Sequence, residues 1–122
     1  MTSQKLQIRD ARTPTGEKLA IIPLQGRLAS QNASEVRQLL HQVISYGYAN
    51  ILLDLAAVNF IDSSGIGVLI SALKKCRTLG GNLCLCNISE AVVDLLEITS
   101  LNQAFGCFDD VQTGVDKFPK KS

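Results

Sequence analysis

Residues 50–55, Asn-Ile-Leu-Leu-Asp-Leu, constrain this chain more than any other stretch of its sequence. Successive side chains of a strand point to opposite faces. A strand that is apolar at nearly every position must therefore be covered on both sides, as a central strand of a mainly parallel sheet is. The flanking sequence supplies the covers. Before the run, Val36, Leu39, Leu40, Val43 and Ile44 recur at helical spacing and give one apolar stripe. After it, from Ser64 to about Leu79, the period is helical again, and Gly80-Gly81 supplies a stop. Lys74, Lys75 and Arg77 fall in the last turns of that helix, where cations complement the backbone dipole.

Residues 6–9 and 19–25 read as two antiparallel strands around the turn Thr13-Pro14-Thr15-Gly16, with Pro23 near an edge or an irregularity. Asn32 with Glu35 three residues on makes a capping-box pattern for the first helix, with Ser30 as a rival cap. Residues 82–86 read as another buried strand, and Ser89 as the cap of a helix carrying Val92, Val93, Leu95, Leu96 and Ile98. Residues 105–108 read as a short final strand, and Asp109 as the cap of a last short helix through Val115. Strands alternating with helices predict an α/β architecture, a mixed sheet of four to five strands packed with about four α-helices. No repeat or linker interrupts the pattern, so the expectation is one domain over residues 1–122 with its core at about 6–118.

At 122 residues the chain can bury a core without metals or disulfides. Its formal net charge of +1 gives no global field to recruit nucleic acid, anionic membrane or acidic substrates. Trp is absent and aromatic residues are 5% of the chain, which argues against base stacking. Residues 1–5 lack the apolar run of a secretory signal, and the longest strongly apolar stretch, residues 66–73, is too short to span a bilayer. The expectation is a cytoplasmic protein with no nucleic-acid partner and no membrane insertion. Cys76, Cys84, Cys86 and Cys107 contain no C-x-x-C pair, and His41 is the only histidine. The four thiols therefore read as small buried hydrophobes and not as metal ligands. Cys84 and Cys86 alternate with Leu83 and Leu85, so they share one face.

The segment Asn59-Phe60-Ile61-Asp62-Ser63-Ser64-Gly65-Ile66-Gly67 joins the central strand to the second helix and carries the candidate site. Asp62, Ser63 and Ser64 stand where the helix begins, so its first backbone N–H groups point toward them. An anion there gains from those donors and from the positive end of the dipole. Gly65 and Gly67 leave little side chain around the helix start, which allows a second molecule close approach. Alternatively, Asp62 and Ser63 are only a turn and an N-cap. Further along, Ile66, Leu69, Ile70 and Leu73 make the core stripe, while Val68 and Ala72 continue onto a flank where a solvated helix carries charge. Either a neighbouring element such as the chain's final helix covers that flank, or it is an apolar patch for a partner.

The parts of a catalytic site are missing. Ile61 stands where a G-x-S-x-G elbow has its first glycine. A Ser-His-Asp set depends on His41 alone, which comes from a different helix and lies off its apolar stripe. Asp54 reads as a capping or pairing carboxylate, and neither G-x-x-x-x-G-K-[ST] nor G-x-G-x-x-G occurs. The expectation is a protein that is not an enzyme and holds no cofactor or metal of its own.

Leu24-Gln25-Gly26-Arg27-Leu28, Ile51-Leu52-Leu53-Asp54-Leu55, the block from Phe60 to Leu69, Gly80-Gly81-Asn82-Leu83 and the stretch around Ile88-Ser89 carry a resemblance over nearly the whole chain. On these residues it resembles the STAS domain family, and within it the bacterial anti-sigma factor antagonists; the D-S-S-G-[LI]-G-V block is the specific part. The resemblance implies a switch. An unmodified antagonist binds an anti-sigma factor that is also an ATP-dependent serine protein kinase. The kinase phosphorylates the first serine after the aspartate, here Ser63, and the complex separates. A metal-dependent serine phosphatase resets the cycle, so ATP and divalent metal belong to the partners. The binding face would join Asp62, Ser64 and Gly65 to Val68, Ala72 and the start of the first helix from Ser30 to Asn32. One position departs from the pattern: Gly26-Arg27-Leu28 is followed by Ala29, where the family commonly has an aspartate. The alternative within the family is a constitutive scaffold subunit of a stress-sensing or lipid-transport complex, which turns over no phosphate at Ser63.

Overall fold

The computed structural model describes residues 6–119; residues 1–5, read above for a secretory signal, and 120–122 lie outside the described residues. In chain order the elements are β1 (Arg9–Arg12), β2 (Lys18–Leu28), α1 (Ala33–Ser45), β3 (Asn50–Ile61), α2 (Ser63–Thr78), β4 (Asn82–Cys86), α3 (Glu90–Ile98), a 3-10 turn (Leu101–Gln103), β5 (Gly106–Phe108) and α4 (Val111–Asp116). The five strands lie side by side in chain order. β1 is antiparallel to β2, and β2 through β5 are parallel.

That topology decides where the helices go. Each crossover steps to the next strand in the same direction, and right-handed crossovers then put α1, α2 and α3 on one face. Ile22, Ile51, Leu53, Leu55, Leu83 and Leu85 meet those helices. Leu19, Ile21, Leu52, Cys84 and Cys86 point the other way, onto Val111, Val115 and Phe118 around α4. Ile51, Leu52 and Leu53 are 0% exposed, so the central strand is covered on both faces as its composition requires. The five stripe residues of α1 are all buried. α2 ends as Gly80-Gly81 dictates: Gly80, at φ +85°, donates to the Arg77 carbonyl and Gly81 to that of Cys76.

The strands differ from expectation in informative ways. β1 falls at Arg9–Arg12 and not at residues 6–9, because the turn fixes Arg12 opposite Lys18. Leu6 and Ile8 alternate because they pack on the helical face, and not because they pair. β2 runs on to Leu28 and β3 to Ile61, with register shifts between Pro23 and Gln25 and between Gly26 and Arg27. Those bulges space the inward residues Leu55, Val58 and Ile61 three apart, a period that matches no strand template. β4 pairs with β3 only through Asp54, so the last halves of β2 and β3 project beyond it as a two-stranded arm. The cap of α4 is Asp110 and not Asp109, since Asp110 Oδ1 accepts from the Thr113 N–H at 2.7 Å. Ser89 caps α3 as read, accepting from Val92. Among the described residues no helix is long and apolar enough to cross a membrane.

Candidate functional site

The arm brings the ends of β2 and β3 to one place, with Leu28 opposite Ile61. There the Asp62 N–H donates to the Leu28 carbonyl at 3.1 Å, and α2 starts at the next residue. The link between strand and helix is thus the single residue Asp62, in extended conformation. Its Oδ1 accepts from the backbone N–H groups of Ser64 at 2.9 Å and Gly65 at 3.1 Å. Its Oδ2 accepts from the Ser30 N–H at 3.1 Å. The hydrogen bond from Gly65 foremost, then those from Ser30 and Ser64 and the charge of Arg27, hold this carboxyl below its ordinary value against the opposing effect of burial. The capping alternative for Asp62 is the one the fold adopts, and two of the donors expected to await an incoming anion, those of Ser64 and Gly65, are already taken by it.

Ser63 occupies the first position of α2 and is exposed, while Ser64 is half-buried. Gly65 is buried: a Cβ there would strike the Leu28 carbonyl oxygen and lie 2.8 Å from its carbon. Its missing side chain seats α2 on the end of β2, so it clears no space for a partner as expected. Val68 and Ala72 are 2% and 1% exposed. They belong to the core beneath α1, which covers this flank of α2; the final helix α4 lies on the other face of the sheet. Of the two alternatives for this flank, coverage by the chain itself is the one the fold adopts, and Gly65, Val68 and Ala72, expected on the binding face, are buried.

The structure does bring the start of α1 to Asp62. Asn32 sits in the capping position of α1, yet its side chain caps nothing. Asn32 Oδ1 accepts from the Ala29 N–H at 2.9 Å and Nδ2 donates to the Arg27 carbonyl at 2.6 Å. The Asn32 N–H closes the turn onto the Ala29 carbonyl at 3.0 Å. The capping box with Glu35 does not form; the asparagine braces the loop that presents Ser30 to Asp62. Ala29, the position that departs from the pattern, is 1% exposed.

Two residues at this site escaped the sequence reading. Arg27 and Phe60 are register partners, each one residue before the end of its strand. The Arg27 guanidinium lies 4.2 Å from the centroid of the Phe60 ring, which is 40% exposed. They were missed because both strands were expected to stop earlier; strands carried through Gly26 and Val58 would have paired them. Beside them a groove of about 540 Å³ is lined by Gln25, Arg27, Gln31, Asn32, Glu35 and Asn59.

Other candidate chemistry finds no assembly here. His41 is exposed on α1, and among the described residues no hydrogen bond joins it to Ser63. Among those residues no group of His, Cys, Asp or Glu side chains is arranged to hold a metal ion. Burial pushes the thiols of Cys76, Cys84 and Cys86 up to about 12, whereas Cys107, expected to be buried, is exposed.

The family model for the STAS domain matches residues 10–114. Over 80 residues, 66% of this chain and 72% of the relative, the sequence is 31% identical to the anti-sigma-B factor antagonist of Bacillus subtilis. The crystal structure of a candidate anti-sigma factor antagonist from Thermotoga maritima superposes with a TM-score of 0.77 at 24% identity, covering 88% of this chain and 90% of that one. The Bacillus cell fate determinant SpoIIAA, solved in its phosphorylated form, superposes with a TM-score of 0.63 at 19% identity, over 87% and 93% of the two chains.

Proposed function

This chain belongs to the STAS domain family, and from that premise we propose that it is a partner-switching regulator of the anti-sigma factor antagonist type. In the unmodified state it binds an anti-sigma factor that is also a serine protein kinase. Phosphorylation of Ser63 ends the complex, and a metal-dependent serine phosphatase restores it. Relatives named anti-sigma factor antagonists support the general role.

The observation that carries the reading is the exposed hydroxyl-bearing residue Ser63 at the first position of α2, next to a carboxylate fixed by three backbone hydrogen bonds. Ser63 is reachable without unfolding anything. A phosphate adds a charge of about −1.5 to −2 there. Asp62 is held ionised and cannot relieve the added charge by taking up a proton near neutral pH. A partner face that buries this corner must then desolvate two anions side by side, which favours dissociation. Ser30 and Ser64, tied to the same carboxylate, belong to that corner.

Mass spectrometry after incubation with the purified kinase partner, ATP and magnesium tests the assignment. One phosphate on Ser63, absent from Ser63→Ala, is the expected result. Phosphate on another residue, or phosphorylation that survives Ser63→Ala, overturns it.

A further inference from the structure

Given Ser63 as the acceptor, on which this inference rests, we propose that Arg27 receives the phosphate and leaves the face of Phe60 to do so. The segments that frame Ser63 carry few charges. Between Leu24 and Val36 the charged residues are Arg27 and Glu35; between Leu55 and Leu73 there is Asp62 alone. α2 itself has no cation until Lys74. Arg27 is therefore the one cation of the two segments, and Glu35 lines the same groove as Arg27.

Two of the backbone donors that would ordinarily meet a phosphate at a helix start, the Ser64 and Gly65 N–H groups, are bonded to Asp62. The phosphate has to find its counter-charge elsewhere. Arg27 stands one residue before the end of β2, across from Phe60, and β3 then turns through Asp62 into Ser63. Its guanidinium rests over a neutral ring. A planar fork of N–H donors matches a phosphate in shape and in charge, and the quadrupole of an aromatic ring is the weaker competitor. Departure of Arg27 uncovers a ring that is already 40% exposed. The modified surface then differs by more than charge: a cation over a ring becomes a bare ring beside a paired phosphate.

The test installs phosphoserine at position 63 during translation, so no kinase is involved. In 31P NMR titrations, the second ionisation of the phosphate is expected to move up by roughly 0.7 pH in Arg27→Gln relative to the native chain, the effect of removing one paired cation at about 4 Å in water. Arg27→Lys should keep part of the lowering. In 1H–13C spectra the Arg27 δ-methylene signals carry a ring-current shift in the unmodified protein, absent from Phe60→Leu, and this shift collapses in the phosphoprotein. Equal titration midpoints in the native chain and Arg27→Gln overturn the proposal. So does a ring-current shift that persists after phosphorylation, a measurement that uses the native side chains and survives any misfolding of a variant. A negative kinase assay would sink the choice of acceptor while leaving both readouts interpretable, so the two failures are distinguishable.

Discussion

At the start of α1 the Asn32 side chain turns back from its helix and braces the preceding loop, while at the start of α2 the Asp62 side chain turns into its helix and caps it. Both residues are ordinary N-cap types. What separates them is the inventory of groups each must satisfy. Around Asn32 there is one donor, the Ala29 N–H, and one acceptor, the Arg27 carbonyl, and an amide matches both. Around Asp62 there are donors only, from Ser30, Ser64 and Gly65, and a carboxylate accepts them all. One start is thus a neutral brace, and the other a fixed negative charge beside an exposed serine.

The largest expected consequence lies in partner binding. Ser63→Asp adds charge at the α2 start and should weaken binding to the proposed kinase partner by about 100-fold, as like charges do in a desolvated interface. Ser34→Asp adds the same charge at the α1 start, on an exposed residue, and should cost far less. Titration calorimetry compares them; equal losses would mean that the partner face is not centred on α2.

Next is the seating of α2. Gly65→Ala forces a Cβ into the Leu28 backbone and should destabilise the protein by about 2 kcal/mol, the usual cost of overpacking. Gly67→Ala, two residues along the same helix with nothing within 4 Å of the new Cβ, should stabilise by about 1 kcal/mol through helix propensity. Opposite signs in urea melts would establish that Gly65 serves internal packing; a neutral Gly65→Ala would return it to the surface.

Asp62→Asn probes the charge itself, with an expected loss of melting temperature smaller than that of Gly65→Ala. The folded carboxyl lies below its ordinary value of 3.8, so the unfolded chain binds the proton more tightly. The stabilisation is complete above that ordinary value and is lost as the pH falls through the lower folded one. Native and Asp62→Asn melting temperatures should accordingly differ in neutral buffer and converge in strong acid. A gap that stays constant with pH would show that the amide fails for reasons of shape and not of charge.

The contrast also shows what the sequence made legible. The central strand, the helical stripes, the Gly80-Gly81 stop and the Asp62-Ser63 junction each follow from local rules in which one interaction outweighs the rest. Strand ends did not, because bulges at Pro23–Gln25 and Gly26–Arg27 broke the period-two pattern that defines a strand in sequence. Arg27 and Phe60 went unseen with them. The flank of α2 at Val68 and Ala72 was undecidable for a different reason: whether α1 or solvent covers it depends on the hand of two crossovers, which no window along the chain contains. Asn32 misled because the capping box is a statement about spacing, while the outcome depended on the Arg27 carbonyl five residues back.

The smallest effect is the most discriminating. Asp and Asn are about equal as caps in general, and a carboxylate gains further from a helix dipole. If Asn32 acted on α1 as its spacing suggests, Asn32→Asp would be neutral or stabilising. As a brace it must donate to the Arg27 carbonyl at 2.6 Å, which a carboxylate cannot do. The substitution should therefore destabilise by about 1 kcal/mol, the net worth of one hydrogen bond. It should also loosen the loop that holds the Ser30 N–H on Asp62, visible as faster hydrogen exchange of that amide with the amides of α2 unchanged. Stabilisation with unaltered Ser30 exchange would make the two helix starts alike after all.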